Sequence, residues 1–228
     1  MALCDTFQAL AVDTWDWFRE NPDRTQWPGE DSITDGLMRA LRRACPGQVV
    51  VHRFNQIEEG RTTGADFVMW LCSRAGGVGL RVQAKRISQT LDRYSKLWYK
   101  DQFDLLVGDA QRYGLYPMYC FYNYWEHVPT LPWLCGTNRP DRVDLLGCGL
   151  ASTYSLQSLR STKDNKLASV ANHIWPWSCL VCCAGHLPGG DLAERASAWL
   201  LALHPSEEEF TGNVHSELPG YVTAILQG

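Results

Sequence analysis

The stretch TGADFVMWLCSRAGGVGLRVQAKR, Thr63 to Arg86, decides the fold. It reads as two strands and a tight connection. From Ala65 to Cys72 the residues alternate, with Ala65, Phe67, Met69 and Leu71 on one face and Asp66, Val68 and Trp70 on the other. From Val78 to Lys85 they alternate again, with Leu80, Val82 and Ala84 set against Arg81, Gln83 and Lys85. The link, Ser73 to Gly77, carries glycines that are free to adopt positive φ. Folding at Ala75 brings Asp66 opposite the Gln83–Lys85 region. Side chains repeat every two residues in a strand, so Gln83 and Lys85 point the same way. A carboxylate, an amide and an ammonium therefore converge on one sheet face, and the other face is apolar and suited to burial.

That set suits metal-assisted phosphodiester cleavage. Asp66 offers a hard anionic oxygen to a divalent cation, and the Gln83 carbonyl a neutral one. Lys85 would hold the attacking water or stabilise charge developing on the phosphate. The same residues also fit ordinary solvated strand ends, since an Asp after Gly and a Lys at a strand terminus are common.

GADF, followed seventeen positions after its Asp by VQAK, resembles the core signature of the PD-(D/E)XK nuclease superfamily, and in particular an uncharacterised bacterial branch with GAD and Q-x-K. The resemblance covers about residues 30 to 125. It implies an α/β, restriction-endonuclease-like fold: an αβββαβ core with a mixed central sheet flanked by helices, here with an extra C-terminal α/β portion. It also implies a Mg²⁺ (or Mn²⁺) cofactor bound by Asp66 and Gln83. Gln83 stands where the superfamily more often has Glu or Asp, which removes one negative charge from the metal site. An acidic residue on the first core helix often faces the metal in that fold. Glu30 is the candidate here, as catalytic residue and third ligand, with Asp35 second, although capping and the helix dipole alone also favour acids at a helix start. Gln102, on the helix after Q-x-K, is a supporting residue on the same ground. A free-standing nuclease of this kind would act in restriction or anti-phage defence.

The remainder of the chain is consistent with one domain spanning residues 1–228, made of an N-terminal helix (2–20), the core and a C-terminal extension (126–228). A length of 228 residues is ample for a core. A hydrophobic share of 45% and a charged share of 20% are those of a soluble globular protein, and no apolar run is long enough to cross a bilayer. The acidic first twenty residues exclude a secretory signal. Nine cysteines at irregular spacing predict reduced thiols and a cytoplasmic setting. Helical periodicity appears over Ala2–Arg19, from Asp31 to Cys45, over Asp101–Arg112 and over Leu192–Leu203. Strands are expected over Gln48–Asn55, Tyr116–Tyr124 and Val143–Ala151, with a short helix over Thr153–Arg160. Glu59 lies in the loop before Asp66 and could reach a metal from there.

Between Arg74 and Lys100 there are seven basic residues and one acidic residue, a local balance of +6 in a chain of net charge −4. An acidic protein with one basic segment beside the site suggests a localised phosphate-contacting surface. Nucleic acid, DNA ahead of RNA, is the expected partner, with Arg74, Arg81, Arg86, Arg93 and Lys96 as contacts and Tyr99 as a stacking ring. The same run is also compatible with a solvated charged face. A homodimer is left open, and a membrane is not expected.

Cys179, Cys182, Cys183 and His186 form C-x-x-C followed by C-x-x-H, with Cys135 and Cys148 elsewhere. This spacing could offer zinc ligands, but SCLVCCA reads better as a small packed apolar segment. The acidic tail after Pro205 reads as solvated. G-x-S-x-G, a G-K-[ST] phosphate loop and H-E-x-x-H are all absent. Three functions remain: a metal-dependent endonuclease, a catalytically silent nucleic-acid-binding or scaffold protein that keeps the fold, and a protein-interaction effector using its aromatic surface.

Overall fold

The computed structural model describes residues 2–74, 76–126, 142–183, 190–204 and 212–227. Chain order runs α1 (Leu3–Arg19), α2 (Glu30–Ala44), β1 (Val49–Arg53), the single turn α3 (Gln56–Glu58), β2 (Phe67–Ser73), β3 (Gly76–Arg86), α4 (Gln102–Arg112) and β4 (Tyr116–Tyr122). It continues with β5 (Cys148–Ser152), α5 (Thr153–Ser161), α6 (Leu167–Val170), β6 (Trp175–Pro176), α7 (Cys179–Cys182), α8 (Leu192–Leu203), β7 (Val214–His215) and α9 (Gly220–Gln227). The protein is thus α/β, with a mixed central sheet flanked by helices.

The sheet order is β1-β2-β3-β4-β5-β6. β1, β2 and β3 form an antiparallel meander, and β2 meets β3 from Phe67↔Val82 to Ser73↔Gly76. The crossover through α4 makes β3 and β4 parallel, pairing Leu80↔Tyr116 through Arg86↔Tyr122. β3 is longer than β4, and its free stretch is taken by β7 at Gly77↔His215 and Val78↔Val214. The hairpin turn is closed by Gly76 at φ +139°, where a Cβ would lie 2.1 Å from the His215 carbonyl oxygen.

One face of the sheet buries Val51, Phe67, Met69, Leu80 and Val82 in a core shared with Phe7, Phe18, Ile33 and Leu41. Each such side chain contributes about 1.5–3 kcal/mol on burial. On the other face Val50, Val68, Trp70 and Cys72 pack with Ala110, Leu115 and Val222, a second core that alternation alone leaves open. β2 and β3 are consequently buried on both faces over nearly all their length.

One expectation is corrected in the C-terminal third. Val143–Gly147 is a 3₁₀ helix, and the strand begins only at Cys148. A short apolar run does not by itself distinguish a strand from a buried helical turn. Within the extension, β5 and β6 continue the sheet beyond β4, and β7 returns to β3. The expectation of uniformly reduced thiols is also corrected. Cys4 on α1 and Cys182 on α7 form a disulfide across a sequence separation of 178. That pairing removes Cys182 from any zinc set; Cys179 and Cys148 are buried, and His186, Cys135 and the acidic run Glu207–Glu209 lie outside the described residues. Among the described residues no helix is long and apolar enough to cross a membrane.

Candidate functional site

The site lies at the open end of the β2–β3 hairpin. Gly64 sets it up. Its φ is +61°, and a Cβ there would lie 2.3 Å from the Gln102 carbonyl oxygen and 2.5 Å from the Leu106 nitrogen. Only glycine lets the chain pass this close to the start of α4 and enter β2 at the next residues. Asp66 then joins the ladder just before β2, its N–H donating to Val82 O at 2.9 Å. Its carboxylate turns onto β3. Oδ2 accepts from the Ala84 N–H at 2.6 Å and from the Gln83 side-chain amide.

Lys85 follows on the same face, only 5% exposed, with Nζ 3.8 Å from Glu30 Oε1. Glu30, the first residue of α2, also accepts the Arg86 N–H through Oε2 at 2.9 Å. Its role as a helix-start acid and its approach to the site thus coexist. Glu59 acts electrostatically on both Asp66 and Glu30, and it accepts from Gln102 Nε2 at 2.8 Å. Asp66, Gln83, Lys85, Glu30, Glu59 and Gln102 are therefore one cluster.

Its electrostatics follow from burial. Desolvation pushes the Asp66 carboxyl up to about 7; Lys85 opposes the rise, whereas Glu59 and Glu30 add to it. Desolvation also raises Glu30, again against Lys85 and the Arg86 N–H. Three acids thus crowd one buried lysine, leaving an excess of negative charge that a bound cation would relieve. Gln83 is fully buried, and its Oε1 has no hydrogen-bond partner among the described residues; neither does Oε1 of Gln102. Orphaned buried oxygens beside crowded carboxylates are the donor chemistry a hard divalent ion requires. Asp66, Gln83 and Glu30 accordingly fit Mg²⁺ or Mn²⁺, although no group of three His, Cys, Asp or Glu among the described residues is already gathered as a ligand set.

Other predicted contacts separate. Arg86 is half-buried, with Nη1 lacking a partner among the described residues and its pKa lowered by desolvation. Arg93, Lys96 and Tyr99 are exposed on the loop that follows β3. Arg74 sits instead at the hairpin tip. At about 3.3 Å per strand residue that is roughly 30 Å from Lys85, so it is not part of this surface. Arg81 shares the face of Gln83 but is buried, its Nε donating to Asp109 Oδ2 at 2.5 Å, and it does not reach the basic loop. Asp35 pairs with Arg53 rather than entering the cluster.

The loop carries features the sequence does not announce. Leu91, Lys96 and Lys100 have positive φ, as does Lys163, which is uncommon for residues with a Cβ. The loop is laced to the C-terminal third through Tyr94 N to Asn165 O at 2.9 Å, Leu167 N to Asp92 O at 2.7 Å and Trp98 Nε1 to Asp164 O at 2.8 Å. Between them Trp98, Lys100, Phe103, Arg160 and Lys163 line a cavity of about 590 Å³. Arg160 and Lys163 escaped sequence reading because only long-range packing brings them here. Tyr119, the register partner of Gln83, is similarly revealed. Its buried hydroxyl lacks a partner among the described residues and feels both Asp66 and Arg160.

These features define a class: an α/β protein with a mixed sheet and, at one hairpin end, a buried acid–amide–ammonium cluster bordered by a basic loop. The chain belongs to DUF6615, a family of unknown function, whose model matches residues 3–228. No curated protein matches it.

Proposed function

We propose that this protein is a metal-dependent endonuclease of the PD-(D/E)XK type, hydrolysing phosphodiester bonds in DNA ahead of RNA, in the cytoplasm and in the service of restriction or anti-phage defence. The observation that carries the reading is the convergence of buried Asp66, Gln83 and Lys85 with the half-buried Glu30 in one cluster beside an exposed basic loop. The order α2, β1, β2, β3, α4, β4 supports it, being the helix, three strands, helix and strand that the resemblance implies.

Asp66, Gln83 and Glu30 would hold the ion. A divalent cation there supplies Lewis-acid polarisation of a phosphate oxygen and acidifies water. Asp66 must lose its proton to serve as a ligand, so ion and proton compete for it. Lys85, fixed by Glu30, presents an ammonium whose donors orient water or meet charge on the phosphate. Arg93, Lys96 and Lys100 engage backbone phosphates, and Tyr99, exposed between two lysines, offers a face to an unstacked base.

The test is cleavage of plasmid and single-stranded substrates in Mg²⁺, Mn²⁺ or EDTA, beside Asp66→Ala and Lys85→Ala. Metal-dependent cutting lost in both variants is expected. Binding without cutting in any metal would instead establish the second reading, a silent nucleic-acid-binding module. The Gln83 amide bound to Asp66 favours that alternative, since it puts a neutral donor where a second carboxylate would bind an ion more strongly.

A further inference from the structure

A different cavity, of about 840 Å³, opens on the same sheet face two residues along β3 from Gln83. Its floor is Val68, Trp70 and Arg81, and α9 forms one wall. Tyr113, Tyr221 and Ile225, which line it, are 50%, 42% and 50% exposed, so three large apolar side chains left open to solvent meet here. The walls are rich in π faces. Trp70 donates from Nε1 to the Tyr221 hydroxyl at 2.8 Å and meets His215 edge-on at 5.1 Å.

Arg81 is the polar group at the base. Its guanidinium lies 4.6 Å from the centre of the Phe54 ring and 5.6 Å from that of Tyr113. Its Nε is committed to Asp109, whereas no described residue accepts from its two Nη groups. Two parallel donors remain, and these match two adjacent acceptors lying in one plane. A carboxylate has that shape, but Asp109 already neutralises Arg81 and, among the described residues, no lysine or second arginine lines the cavity. Burying a further full anion there would be costly. A neutral ring with paired acceptors has no such penalty, and guanine presents O6 and N7 in this way.

We propose that this cavity is a binding site for a guanine ring, stacked among its aromatic walls and read by the Nη groups of Arg81. The ring could belong to a free nucleotide or to an unpaired residue of a nucleic acid, and the two sources present the same edge.

Calorimetric titration in EDTA, where no cleavage intervenes, tests the proposal independently of nuclease activity. The probes are guanosine 5′-monophosphate, adenosine 5′-monophosphate, benzoate and the trinucleotide TGT. Saturable binding of the guanosine nucleotide is expected, with the adenosine nucleotide about 5- to 150-fold weaker, because its amino group opposes a donor with a donor. Tighter binding of TGT would assign the ring to a nucleic acid, and weaker binding to a free nucleotide. The paired change Arg81→Met with Asp109→Leu removes both charges together and should abolish binding. Tyr113→Ala, at an exposed position that folding tolerates, should weaken it by about 5- to 150-fold by removing a stacking ring. No saturation at millimolar guanosine nucleotide, equal affinity for the adenosine nucleotide, preference for benzoate, or unchanged affinity in Tyr113→Ala would each overturn the assignment.

Discussion

Gln83 donates its side-chain N–H to Asp66 across the hairpin, and the oxygen of the same amide is buried without a partner among the described residues. One side chain therefore satisfies a carboxylate and leaves an acceptor waiting. Gln83→Glu would exchange the donor for a second acid. Without divalent ions, like charges at hydrogen-bond distance should lower the melting temperature by roughly 5–10 °C, corresponding to about 2–3 kcal/mol in a chain of this size. Mn²⁺ should recover most of that loss and raise the variant more than the wild type. Thermal melts with and without Mn²⁺ measure both effects; an ion-independent melt would argue against a metal site at this position.

Asp66 holds its proton up to about 7 in the folded chain, against an ordinary value of 3.8. Between those values the folded state binds more protons than the unfolded state, so the contribution of Asp66 to stability falls as pH rises through this window and is lowest above it. Asp66→Asn should therefore be more stable than the wild type at pH 8, with the difference shrinking towards pH 4. Denaturant melts across that range check the sign. The apparent affinity for Mg²⁺ should rise over the same interval in the wild type, with proton release detectable by calorimetry in two buffers.

Arg93, Lys96 and Lys100 are exposed, whereas Arg74 lies at the opposite end of the hairpin. Replacing the three loop residues by alanine should reduce the slope of log affinity against log salt by about 2 to 3, near 0.9 for each phosphate no longer neutralised. Arg74→Ala should leave slope and affinity unchanged. Fluorescence anisotropy with a labelled duplex reads both, and an effect of Arg74 equal to that of the loop would displace the proposed interface.

The Cys4–Cys182 disulfide closes most of the chain into one loop, with a sequence separation of 178. Chain-entropy reasoning places its contribution at up to about 5 kcal/mol. Reduction, or Cys4→Ser with Cys182→Ser, should lower the denaturant midpoint without changing the far-ultraviolet spectrum. An unchanged midpoint would mean that the helices dock equally well unlinked.

Much of this arrangement is legible in the sequence, for a physical reason. The strand period of two fixes which of Asp66, Gln83 and Lys85 share a side, and Gly76 marks the turn that brings them together. Glu30 is readable as a helix start, and the structure brings the same residue to Lys85. The period also puts Arg81 on that face, but Asp109, 28 positions away, takes it, and no local pattern encodes that. The basic loop has no regular period, because its shape is imposed by backbone bonds to Asp164, Asn165 and Leu167. The Cys4–Cys182 pair and the Arg160–Lys163 lining likewise depend on tertiary packing alone.

Because the 88–101 loop is stitched to residues 164–167, the parts of the chain that differ most in legibility also differ in task under the proposed activity. The reactive groups ride on the meander and α2, and the grip on substrate is braced from beyond α5. Variation confined to that brace could retune which strands are seized, or how tightly, while the chemistry stays inherited intact.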